Sequence, residues 1–284
     1  MRSKSAVLAT GGFVFAGACA ATLVYGAVTE ANRLIVERRR LGLPGWPAER
    51  AGYRIALLAD LHLHDASSVA LAYRAAAAAV AEQPDITLFV GDLVGYWHAK
   101  SETMIADALA PLRDSGACVL AVAGNRDALI RSRVAPHATA SQRLHRYRAA
   151  LHEQGIILLE NQSVELEGID FVGIGSATLG LADPVQAFSR TAPDRPRIVL
   201  WHEPDAVDYL GCPAHLMVSG HSHGGQFTFP WGWTPMHTKL GEKYVRGWYP
   251  HAPVPLYVSR GIGTTGYPAR LGCPPEVAIL ELHP

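Results

Sequence analysis

Five short polar motifs interrupt the apolar runs of this chain: Asp60-Leu61-His62, Gly91-Asp92, Gly124-Asn125-Arg126-Asp127, His202-Glu203-Pro204 and Gly220-His221-Ser222-His223. Each places an imidazole, carboxylate or carboxamide where a strand-like run gives way to turn residues. The runs are Tyr53 to Ala59, Ile86 to Val90, Val119 to Ala123, Ile198 to Trp201 and Leu216 to Val218. Donors at successive strand ends are what an open α/β sheet presents along its carboxyl edge. Together they suffice for two metal ions. Imidazole and carboxylate without thiolate suit manganese, iron or zinc, and suit the alkaline-earth ions less well. A lone His such as His202 is ordinarily just a hydrogen-bonded histidine. Unrelated structural needs, however, do not generate all these donors in this order.

From about Arg54 to Leu282, the set resembles the calcineurin-like metallophosphoesterases in order and spelling. The resemblance implies a first metal held by Asp60, His62, Asp92 and His223, and a second held by Asp92, Asn125, His202 and His221. Asp92 then bridges. Two ions sharing one carboxylate sit about 3.5–4 Å apart, the spacing of two-metal sites that support in-line displacement at phosphorus. Manganese is the first choice, with iron or zinc as alternatives. Arg126 and Asn125 are the expected catalytic residues.

Most members of that family have His where this chain has Arg126. Arginine stays protonated and cannot act as a general acid, but its planar fork grips phosphate oxygens bidentately. A missing proton donor matters little when the leaving group is a phosphate monoester anion. The Gly-Asn-Arg-Asp spelling is also that of the UDP-2,3-diacylglucosamine pyrophosphatases of lipid A synthesis. Both lines favour a dinuclear phosphohydrolase acting on a lipid-linked nucleotide pyrophosphate. The alternatives are a broad-specificity membrane-associated phosphodiesterase or phosphatase, a non-catalytic metal-binding scaffold, and an Arg126 that merely ion-pairs with Asp127. His64 is a further candidate for touching substrate.

The last third of the chain resembles the membrane-associated bacterial phosphodiesterase branch. The resemblance rests on Gly220 to Gln226, Ser259 to Gly266 and Cys273 to Val277. That branch carries an N-terminal hydrophobic segment, and here Ala6 to Val28 is a run of 23 uncharged positions. As a helix it would reach about 34 Å, enough to cross a bilayer. A cleaved signal peptide with a site at Ala18-Cys19-Ala20 is the alternative reading. Arg33 and Arg38 to Arg40 outnumber Arg2 and Lys4, which predicts an inner-membrane anchor with the catalytic domain in the cytoplasm. Phe227, Phe229, Trp231 and Trp233, just after the last motif, read either as a lipid-facing stretch or as aromatics packed under a loop.

Equal numbers of acidic and basic residues, 25 each, exclude the basic field that nucleic-acid binding needs. Four cysteines, with Cys19 in the apolar segment and Cys118 expected in the core, form no disulfide framework. The expected organisation is an anchor over 1–30, a connector over 31–50 and one phosphoesterase domain over 51–284. Helices are predicted near Ser67 to Glu82, Ser101 to Asp114 and Ser141 to Gln154, between short strands. The final strands, Leu256 to Ser259 and Val277 to Leu282, are expected to complete a second sheet. The fold class is α/β, implied to be a four-layer αββα sandwich of two mixed sheets behind an N-terminal transmembrane or signal-anchor helix.

Overall fold

The computed structural model describes residues 19–129, apart from Tyr96 and His98, and residues 140–284. The first sheet begins with β1 (Ile35–Gly42). It continues through β2 (Tyr53–Leu58), β3 (Ile86–Val90), β4 (Val119–Val122) and β5 (Ile156–Leu158), with helices α1 (Ala66–Ala81), α2 (Ser101–Ser115), α3 (Asn125–Leu129) and α4 (Ala140–His152) between strands. Strands β2 to β5 are parallel. The second sheet contains β6 (Gln162–Leu166), β7 (Ile169–Gly173), β8 (Arg197–Leu200), β9 (Leu216–Ser219), β10 (Gly247–Tyr249) and β11 (Leu256–Val258), with α5 (Pro184–Phe188) after β7. Its order is β10-β11-β9-β8-β7-β6, and β7, β8, β9 and β11 are parallel.

Three apolar layers explain the stacking. Ile55, Leu57, Leu88, Leu120, Ile198, Leu200 and Val218 fill the space between the sheets. The other face of the first sheet packs against α1, α2 and α4. Helix α1 shows why its sequence folds so: Ala72, Ala75, Ala76 and Ala79 recur at helical spacing, are buried, and let the helix lie close to its neighbours. Asp65 and Ser68 cap each other's backbone amides at its start. The outer face of the second sheet has a thinner cover, in which Ala187 of α5, Ala206, Val207 and Tyr244 pack on Trp201 and Val258. The two-sheet α/β arrangement is the expected one.

Three expectations need correction. The closing strand β12 (Glu276–His283) belongs to the first sheet, where it lies between β1 and β2, parallel to one and antiparallel to the other. Residues 31–50, read as a connector, supply the edge strand β1. Its arginines face acids: Arg38 bonds Glu82, Arg39 lies 2.7 Å from Glu37 and Arg40 lies 3.6 Å from Glu281. A charged edge strand resists pairing with other chains, which explains why it looks like a polar linker in sequence. Cys118 is exposed rather than in the core.

The transmembrane helix and the membrane-anchored localisation built on it are likewise not supported. Among the described residues no helix is long and apolar enough to cross a membrane. Residues 19–28 are helical, spanning about 15 Å, half the bilayer core, and positions 6–18 of the expected span lie outside the described residues. The segment's end is docked on the domain, the Arg270 amide donating to the Gly26 carbonyl at 3.1 Å. The arginines used to orient the anchor are strand residues.

Candidate metal centre

Parallel strands in both sheets end at one edge. Asp60 follows β2, Asp92 follows β3, Asn125 follows β4, His202 follows β8, and His221 and His223 follow β9. The backbone there is unusual: Asp60, His62, Asp92, His221 and His223 all have φ between 47° and 69°. Left-handed conformations are uncommon outside glycine, and they concentrate where a fold must aim side chains away from the regular strand path. Close approach demands glycine alongside. A Cβ on Gly220 would stand 2.6 Å from Asp60 Oδ2, and one on Gly91 would stand 2.5 Å from His202 Nδ1.

Two buried clusters result. Asp60, His62 and His223 form one, and Asp92, His202 and His221 form the other, each with its donor atoms within 4.8 Å of one another. Asp92 faces both, with Oδ2 3.6 Å from His62 Nε2 and Oδ1 3.5 Å from His202 Nε2. Facing ring nitrogens approach to 2.9 Å between His62 and His223, and to 3.2 Å between His221 and His202. His202 Nδ1 donates to the Val90 carbonyl at 2.7 Å, and His221 Nε2 to that of Lys239 at 2.8 Å. Each ring therefore turns its other nitrogen inward, as metal-binding histidines do. Asn125 Oδ1 is buried without a hydrogen-bond partner. The donor set fits two divalent ions.

Electrostatics agree with that fit. Burial lowers His62 to about 4 and holds His223 well below its usual range, so both rings are neutral donors. Burial pushes the Asp60 carboxyl up to about 7. Burial also opposes ionisation of Asp92, but His202, His62 and His221 outweigh it and keep the carboxylate charged. In return Asp92 holds a proton on His202 against burial. A cation at that nitrogen would replace the proton.

Six of the seven expected donors fall in these two clusters, and Asn125 follows β4 next to Arg126. Arg126 stands beside the clusters, its amide donating to Asp92 Oδ1 at 2.8 Å and its guanidinium 3.5 Å from Thr265 Oγ1. It does not pair with Asp127. That carboxylate is fully buried and accepts the amides of Asp92 (2.7 Å), Gly124 (2.9 Å) and Val94 (3.2 Å), tying two ligand turns together. His64 is drawn to the His62 carbonyl, with Nδ1 2.6 Å away, and His98 and His137 lie outside the described residues.

Two positioning residues escaped the sequence reading. Glu203 accepts from Ser176, Ala177 and Thr178, fixing the turn after β7 next to His202. Arg270 is fully buried with no carboxylate partner among the described residues. It donates to the carbonyls of Gly263 (3.0 Å), Cys273 (3.1 Å) and His223 (3.5 Å). Glu203 sits inside a motif and could have been suspected, whereas no spacing marks Arg270.

Residues 53–225 match the family model described as calcineurin-like phosphoesterase. The chain is similar to phosphodiesterase YaeI of Escherichia coli, at 31% identity over 82% of this chain and 83% of that one. It is also similar to UDP-2,3-diacylglucosamine pyrophosphatase LpxG of Chlamydia muridarum, at 29% identity over 92% of each.

Proposed function

The chain belongs to the calcineurin-like phosphoesterases, hydrolases of phosphoester bonds, and from that premise we propose that it cleaves the pyrophosphate of an acylated-sugar nucleotide such as UDP-2,3-diacylglucosamine. Asp60, His62, Asp92 and His223 would hold one divalent ion and Asp92, Asn125, His202 and His221 the other, with manganese favoured over iron or zinc. Such a pair, when bound, supplies Lewis-acid charge to phosphoryl oxygens and lowers the pKa of water.

The chain's own residues do the rest. Val90 and Lys239 fix the orientation of the His202 and His221 rings, and Asp127 holds the Asp92 turn. Among the described residues no carboxylate ion-pairs with the Arg126 guanidinium, which lies 3.5 Å from Thr265 Oγ1, and its fork would take non-bridging phosphate oxygens. It offers fixed charge and no proton, which suits a monoester-phosphate leaving group. This placement of Arg126 beside Asp92 is the observation that carries the reading, and the similarity to LpxG supports it.

A phosphodiesterase acting on alcohol esters is the second reading, favoured by the similarity to YaeI. Purified protein loaded with Mn²⁺ decides between them. The pyrophosphate reading expects kcat/KM for UDP-2,3-diacylglucosamine to exceed that for an aryl phosphodiester by about tenfold or more, about 1.4 kcal/mol of transition-state preference. The reverse order sinks it.

A further inference from the structure

The aromatic loop after the last motif is joined to the site by a continuous ribbon of contacts. Arg126 reaches Thr265, and the Gln226 side chain accepts from the Thr265 amide at 2.9 Å and donates to the Tyr267 carbonyl at 2.8 Å. The Leu271 amide donates to Gln226, and the Thr228 amide returns to Leu271 at 2.7 Å. Beyond this ribbon the chain turns out into solvent. Trp231 is fully exposed with φ at 68°, Trp233 is 62% and Tyr267 67% exposed, and the rings of Phe229 and Trp233 lie 5.3 Å apart. A bulky residue in a left-handed turn is strained, and here it presents its ring to water with no ring contact among the described residues.

We infer that Phe229, Trp231, Trp233 and Tyr267 form a lip that takes the alkyl tail of an amphiphilic phosphoester whose phosphate lies at Arg126. The molecule is then matched end to end, cation to phosphate and aromatic faces to methylenes. This rests on the acylated-substrate reading, yet its test does not need pyrophosphate cleavage.

Butyl and octyl phosphate, both below micelle-forming concentrations, are compared as inhibitors of aryl phosphodiester hydrolysis by the full chain. The ratio of their inhibition constants is taken within each protein. Wild type is expected to favour octyl phosphate by about tenfold or more, since each buried methylene contributes up to about fourfold. Trp231→Ser with Trp233→Ser should bring the ratio below about threefold on the same scale. Octyl phosphate should also shift Trp231 emission to the blue, a change absent from Trp231→Phe.

Equal potency of the two inhibitors in wild type overturns the lip. So does a ratio that survives in the double variant and collapses in Val69→Asp. That result would seat the tail in the cavity of about 930 Å³ between α1 and α2, which Val69 lines with His64, Tyr73 and Met104. Chain-length selectivity without turnover of UDP-2,3-diacylglucosamine would sink the substrate reading alone.

Discussion

Asp92 addresses both halves of the centre, one carboxylate oxygen toward each cluster. Asp92→Ala is therefore expected to abolish hydrolysis and to remove both metal equivalents, checked by metal content per chain alongside turnover. Retention of two equivalents would refute the ligand assignment. Arg126 should behave differently because its role is charge rather than coordination. Histidine at that position can donate a proton, so Arg126→His should lower kcat/KM on the pyrophosphate and raise, relative to it, kcat/KM on a diester with a basic alcohol leaving group. We expect the ratio of the two constants to move by about tenfold or more, about 1.4 kcal/mol. An unmoved ratio, with both rates unaffected, would mean that the guanidinium never meets substrate.

Turns at the strand ends are the elements that make these residues a site. Gly91 ends β3 at φ 86°, against His202 and the Gly124 backbone. A methyl group there would lie 2.5 Å from the very nitrogen that donates to Val90, so the imidazole must swing. Gly91→Ala is expected to leave far-ultraviolet circular dichroism intact while losing at least about one equivalent of metal, the coordination of His202 depending on that second contact. Full stoichiometry in the variant would show that the turn tolerates a Cβ. Asp127 acts at the same level, since three backbone amides of two turns converge on one buried carboxylate. Asp127→Ala leaves them unsatisfied at about 1–3 kcal/mol each and should depress Tm markedly, with Asp127→Asn the milder change.

For the molecule as a whole, the sheet begins earlier than its apolar core strands suggest. Deleting residues 1–33 leaves β1 in place, whereas deleting 1–42 strips the edge from β12 and uncovers a strand in which Val277, Ala278, Leu280 and Leu282 are fully buried. The longer deletion also removes the buried Leu41. It should lower Tm by roughly 5 °C or more and promote association through the new edge, while the shorter one keeps turnover. Differential scanning fluorimetry and sedimentation separate the two cases. Equal stability of both truncations would mean that β1 contributes nothing to the sheet.

What the sequence determined by itself is chemical and local. The order of the polar motifs, the strands that precede them and the helix that is α1 were all legible, because each depends on residue type and on periods of two or 3.6 within a few neighbours. Partnership across the chain was not. A run such as Ile35 to Gly42 has the same arginines whether it flanks a bilayer or edges a sheet, and β12 has the same apolar run in either sheet. Only the tertiary structure decided that Asp127 binds backbone rather than Arg126, that Arg270 holds the His223 turn from 47 residues away, and that Trp231 faces water. Hydrophobic pattern reports that a face is buried, not what buries it, and a hydrogen bond closed across a long loop leaves no period in the residues between its ends.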